Sequence, residues 1–127
     1  MTDTGFGLST IGQLLVPVTD VERATAFYRD QLGVPFLFSY PGMAFLDAGG
    51  VRLFLAVPES PASSGHVTIY FRVPDIDAAF AALRGRGVAF TDEPHVVHRG
   101  EGTELWMAFT QDPDGNSLGI MEDRPLA

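Results

Sequence analysis

Three histidines, His66, His95 and His98, are the residues best suited to chemistry near neutral pH. An imidazole changes charge there, and it can act as a general base or ligate a metal. His66 follows Ser64 and Gly65 at the start of a strand-like stretch, where it serves either as a cap or as a base. His95 and His98 lie three apart in an extended segment. Side chains alternate along a strand, so one of the pair faces inward and the other outward unless a bulge intervenes. Asp112, Asp114 and Asn116 begin like a calcium loop, but the later ligands and the terminal glutamate are missing, so they read as a turn. With no cysteine, there is no disulfide, thiolate nucleophile or zinc–cysteine site. Neither a nucleophile elbow, a phosphate loop nor a dinucleotide fingerprint occurs.

The chain carries 16 acidic against 8 basic residues, a net charge of −8. A nucleic-acid binder needs a basic stripe, and an anionic membrane surface needs basic residues too, so both partners are excluded. No apolar run approaches the ~20 residues of a membrane helix. The opening residues lack the basic start and apolar centre of a secretory leader, so a cytoplasmic protein is expected. The 127 residues suffice for one domain or two half-domains sharing a core.

The elements that must position these side chains come in a repeated order. Residues 13–18 alternate as a strand, and Asp20 caps a helix carrying Val21, Ala24, Phe27, Tyr28 and Leu32, closed by Gly33. Three short strands follow at 35–40, 43–47 and 51–57, separated by glycine turns. A Pro- and Ser-rich connector spans 58–65. A strand at 66–73, a helix capped by Asp75 with Ile76, Ala79, Phe80 and Leu83, and strands near 88–98, 104–110 and 117–121 complete the chain. Asp20 and Asp75 stand 55 positions apart, and Gly33 and Gly87 stand 54 apart. Two copies at so long a period indicate a duplicated module. The fold class is α+β, with two βαβββ modules at about 11–58 and 66–122 in a single domain over 1–127. Leftover sheet faces that curl together enclose a cleft.

The chain resembles the vicinal oxygen chelate superfamily, which includes glyoxalases, bleomycin-resistance proteins and dioxygenases. The resemblance rests on Val16-Pro17-Val18-Thr19-Asp20, on Ala26-Phe27-Tyr28-Arg29-Asp30 through Gly33, on Phe71-Arg72-Val73-Pro74-Asp75, and on Asp112-Pro113-Asp114-Gly115-Asn116. It implies a U-shaped cleft. It also implies a divalent metal in the enzymes, held by the first and fourth strand of each module, and no metal in members that bind a drug. Carried over residue by residue, the four metal positions fall on Gln13, Phe54, Thr68 and Gly119. An amide, a phenyl, a hydroxyl and a hydrogen are poor company for a divalent cation. No metal and no other cofactor are therefore expected.

The remaining candidates line the cleft. Phe36, Phe38 and Tyr40 share one strand parity, and with Phe54 and Tyr70 they make an aromatic wall. Arg52 shares the parity of Phe54, and Trp106 is either core or a stacking wall. The expected ligand-binding set is Gln13, Phe38, Tyr40, Arg52, Phe54, Thr68, Tyr70, Trp106 and Gly119. His66, His95 and His98 are the candidates for catalysis. The expected function is a metal-free binding protein of the bleomycin-resistance type, a homodimer holding a small apolar or aromatic compound. The alternative is a glyoxalase-like lyase or isomerase with an atypical or missing metal site.

Overall fold

The computed structural model describes residues 5–59 and 65–126. Most of the connector read at 58–65 lies outside the described residues, as do the first four positions of the chain. β1 (Gln13–Pro17) leads into α1 (Val21–Ala26). The Asp20 carboxylate accepts from the Arg23 N–H at 3.0 Å and so satisfies a donor that the first turn leaves open. The helix does not run evenly to Leu32. It widens into a π turn over Phe27–Gln31, with the Leu32 N–H donating to the Phe27 carbonyl. Phe27 and Tyr28 are adjacent, yet both are buried across this turn.

β2 (Phe36–Tyr40), β3 (Met43–Ala48) and β4 (Val51–Ala56) follow. The first sheet has the order β1-β4-β3-β2, with β1 parallel to β4 and the other pairs antiparallel. The second half repeats this. β5 (Thr68–Arg72) leads into α2 (Ile76–Gly85), where Asp75 accepts from the N–H groups of Asp77 and Ala78. β6 (His95–Gly100), β7 (Thr103–Gln111) and β8 (Ser117–Pro125) form a sheet ordered β5-β8-β7-β6. Residues 88–91 make no strand of their own, only one bridge from Phe90 to Thr110.

Each sheet buries one face. Val16, Leu53, Leu55, Ala44 and Leu46 pack against Ala24, Phe27 and Tyr28, and the same cluster takes in Leu118, Val88, Ile69, Phe71 and Leu83. The two modules thus share an apolar core through their helix-covered faces. Each such aliphatic side chain contributes about 1.5–3 kcal/mol on burial.

The Asp112–Asn116 turn is the second joint. Asn116, fully buried, donates to the Pro17 carbonyl at 2.9 Å and to Asp112 Oδ2 at 2.8 Å, and accepts from the Val67 N–H at 2.9 Å. The Tyr28 hydroxyl donates to the same Asp112 Oδ2 at 2.8 Å. Burial first, and then the Asp112 carboxylate, push the Tyr28 phenol far above its ordinary range. Asp112 Oδ1 accepts from the N–H groups of Asp114 and Asn116. Asp114 Oδ1 takes Thr19 and Arg23. The motif is therefore a clamp between modules: both Asp112 carboxylate oxygens and Asp114 Oδ1 accept from protein donors, and the buried Asp114 Oδ2 has no partner among the described residues.

Candidate functional site

The face of each sheet opposite its helix stays open, and register decides what it presents. On the first sheet Gln13, Arg52 and Asp47 stand side by side, as do Leu15, Phe54, Phe45 and Phe38 in the next row, and Met43 with Tyr40 beyond. Phe45 and Phe54 stack with centroids 4.9 Å apart and planes 4° apart. Phe38 lies 4.7 Å from Phe45, and Tyr40 lies 5.6 Å from Phe38. The Arg52 guanidinium sits 5.3 Å from the Phe45 centroid and 5.9 Å from that of Phe38.

Phe36 does not join this ladder. Between Phe36 and Phe38 the strand advances two residues while its partner advances one, from Leu46 to Phe45. Leu37 is the extra residue of a bulge, and the bulge turns Phe36 to the helix side, where Arg29 lies 5.9 Å from its ring. Simple alternation missed this.

On the second sheet Thr68 stands beside Ser117, Tyr70 beside Gly119 and Phe109, and Arg72 beside Met121 and Met107. Tyr70 and Phe109 meet edge to face at 6.0 Å. A β-carbon placed at Gly119 would stand 3.0 Å from Phe109 Cε1 and 3.0 Å from Tyr70 Cδ1. The space a side chain at 119 would enter is filled by two rings.

The same bulge recurs in β6, where the register shifts between Val96 and His98 and leaves Val97 extra. His95 pairs with Met107 and His98 with Leu105, so both histidines share the open face. The expectation that only one of them points inward is corrected by this added residue. His95 Nδ1 lies 2.8 Å from the Glu93 carbonyl, which can only accept, so Nδ1 carries the proton there. Asp92 Oδ2 is 3.6 Å from the same nitrogen.

Two other candidates lie elsewhere. β5 begins at Thr68, and His66 precedes it with Nε2 donating to the Asp114 carbonyl at 3.0 Å. Its ring rests against Gly115 of the clamp. Trp106 pairs with Val96 and Glu122 on the helix side, packs on Ile76, Ala108 and Ile120, and has Arg124 4.5 Å over its ring. It belongs to the core side of the sheet, not to the aromatic wall. Glu122 is also spent there, accepting from the Ile76 N–H at 2.8 Å.

Phe45, Phe109 and Met107 belong to the open faces and were not singled out from the sequence. Their parity relative to Phe54 and Gly119 carried the signal, once strand pairing is known. Two cavities, of about 600 and 550 Å³, lie at the margins of these faces, the first touching Tyr40 and the second Tyr70. One is between α1 and the β2–β3 turn, and the other is between the β1 and β5 edges.

The family model described as Glyoxalase/Bleomycin resistance protein/Dioxygenase superfamily matches residues 10–120. The chain belongs to that superfamily. Among curated relatives, catechol-2,3-dioxygenase from Bacillus subtilis (strain 168) is 27% identical over 126 residues, 91% of this chain and 42% of that protein. The chain therefore spans less than half the length of that relative. Among solved structures, a superfamily member from Sphaerobacter thermophilus DSM 20745 aligns with TM-score 0.73 at 26% identity, covering 91% of this chain and 98% of the other. Lactoylglutathione lyase from Agrobacterium tumefaciens aligns with TM-score 0.73 at 23% identity, covering 91% and 94%, a likeness of fold.

As a glyoxalase-superfamily chain, this one can be tested for the divalent metal its enzymes are expected to hold. Gln13, Phe54, Thr68 and Gly119 all fall on the open faces. Two of the four carry no donor atom in their side chains, and rings crowd both of those positions. Among the described residues no group of three or more His, Asp or Glu stands together as an ion site. The residues present do not fit the metal. Among the described residues, no helix is long and apolar enough to cross a membrane.

Proposed function

We propose that this superfamily member is a metal-free small-molecule binding protein of the bleomycin-resistance type, holding an apolar or aromatic compound on its open sheet faces. One observation carries the reading: the Tyr70–Phe109 pair closes over Gly119, where the resemblance implies a metal ligand. The Phe45–Phe54 stack does the same at the corresponding place in the other module. Rings offer no lone pairs to a cation but supply faces for a planar ligand. Burial would contribute about 25 cal/mol per Å² of apolar area removed from water.

In one chain Phe38, Tyr40 and Tyr70 on these faces are exposed, while Phe45 is buried between its neighbours. A second copy would cover them and close the cleft, so the working assembly is a homodimer. Gln13 and Thr68 then supply polar anchors.

A second reading has one observation in its favour. The β6 bulge puts His95 and His98 on the same open face, where they would serve a lyase or isomerase as a base or as two metal ligands. Elemental analysis of protein purified without added metal or chelator separates the two. The binding reading expects far less than one divalent ion per chain and saturable binding of planar aromatics by calorimetry. A stoichiometric ion that disappears in His98→Ala would overturn it and favour the enzyme.

A further inference from the structure

Among the described residues, Arg52 is the cation on the open faces that no carboxylate pairs. We infer that the ligand is a planar aromatic bearing an anionic group, such as a carboxylate or sulfonate, at one edge, gripped by Arg52 while its ring lies on the Phe38–Phe45–Phe54 ladder. The inference rests on the binding reading above and adds the ligand's charge to it.

The arrangement singles Arg52 out. In a chain of net charge −8, carboxylates are plentiful, and the neighbouring cations have found them. Arg72, on the open face of the second sheet, pairs with Asp123. Arg23, Arg29, Arg99 and Arg124 each hold an aspartate or glutamate. Arg84 and Arg86 also show no ion pair among the described residues, but they sit at the end of α2, over Phe80 and against the Gln31 carbonyl, away from the open faces. Arg52 stands in register with Asp47, the natural partner, yet no ion pair joins them. Asp47 Oδ1 instead accepts from the Gly50 N–H at 2.8 Å, which turns that carboxylate toward the β3–β4 turn.

The guanidinium lies over the rings of Phe45 and Phe38. A guanidinium is always charged at physiological pH, and its planar fork matches the two oxygens of a carboxylate. Contact with the rings holds it beside the aromatic surface. An anion bonded to that fork brings any attached ring onto the ladder. Gln13, beside Arg52 in the register, adds an amide donor for the same oxygens. A neutral aromatic can use the ladder alone, and an aromatic cation meets Arg52 as a like charge.

The test is isothermal calorimetry of the full chain with three probes of one shape: 2-naphthoate, 2-naphthalenemethanol and 2-naphthylmethylammonium. The expected order is anion, then alcohol, then cation, with the anion tighter than the alcohol by about tenfold or more. Added salt should weaken the anion and leave the alcohol unchanged. Arg52→Met should erase the anion's advantage over the alcohol measured in the same variant, and Arg52→Lys should keep part of it. Equal affinities for anion and alcohol in the wild type, without salt dependence, would overturn the inference and leave apolar binding standing. So would a preference that survives Arg52→Met. Failure of all three probes to bind would overturn both.

Discussion

Adding one methyl group at position 119 tests the reasoning most directly. Gly119 lies on β8 with a backbone conformation open to any residue, so Gly119→Ala carries no penalty from its torsion angles. In a strand interior, replacing glycine by alanine should stabilise by about 0.5–1 kcal/mol. Against this, the new carbon meets Phe109 Cε1 and Tyr70 Cδ1, both at 3.0 Å, and Phe109 Cδ1 at 3.3 Å. Relieving such overpacking costs about 1–3 kcal/mol. The net expectation is a loss of about 1–2 kcal/mol, or a melting temperature lower by about 3–10 °C for a chain of this size. Urea denaturation supplies the free energy and calorimetry the temperature.

The cause is identified by a double-mutant cycle. Phe109→Leu removes the Cε1 atom that the new methyl strikes. In that background Gly119→Ala should cost less, with only the Tyr70 contact left at full strength, giving a coupling of about 0.5–1 kcal/mol. If Gly119→Ala is neutral or stabilising in the wild type, or if the two changes simply add, the rings do not fill the position. The space would then admit a ligating side chain, and the argument against a metal would lose its main support.

Asn116→Ala should remove about 2–4 kcal/mol by urea denaturation, because it strands the Val67 N–H and the Pro17 carbonyl in a buried joint; a loss below about 0.5 kcal/mol would show that the clamp does not hold the modules. Tyr28 titrates far above its unfolded value, so its share of stability is complete below about pH 10 and falls as pH rises beyond that. Alkaline titration should show Tyr28 tyrosinate absorbance only together with unfolding, and Tyr28→Phe should remove that step. A Tyr28 signal appearing while the circular dichroism stays native would contradict its burial. Because Trp106 lies on the helix side beneath Arg124, its emission maximum should not move when an aromatic ligand saturates the open faces. A shift that persists in Phe45→Leu would place the ligand elsewhere.

Much of the architecture was legible because its signals are short-range. Asp20 and Asp75 cap helices through donors two or three residues away, and Gly33 and Gly87 take up backbone angles that other residues resist. The duplication shows in those spacings, and the structure repeats one strand order in both halves. The character of the four positions where the resemblance implies metal ligands was legible for the same reason, since Phe54 and Gly119 announce themselves by type.

Which face each side chain takes was a different matter. Parity holds only while pairing is regular, and one extra residue reverses it. Leu37 and Val97 are ordinary strand formers, and nothing in them marks a bulge, yet Leu37 sends Phe36 to the helix side and Val97 brings His98 round to join His95. Phe109 and Tyr70 lie 39 positions apart in the chain and meet only because β5 and β7 flank β8. The free state of Arg52 depends on Asp47 choosing the Gly50 N–H. The chain alone determined the modules and the chemical poverty of the four positions, because caps, turns and residue types act locally. Tertiary structure decided which rings fill the gap and which open-face cation is left over, because both are set by strand pairing and by the hydrogen bonds made at its turns.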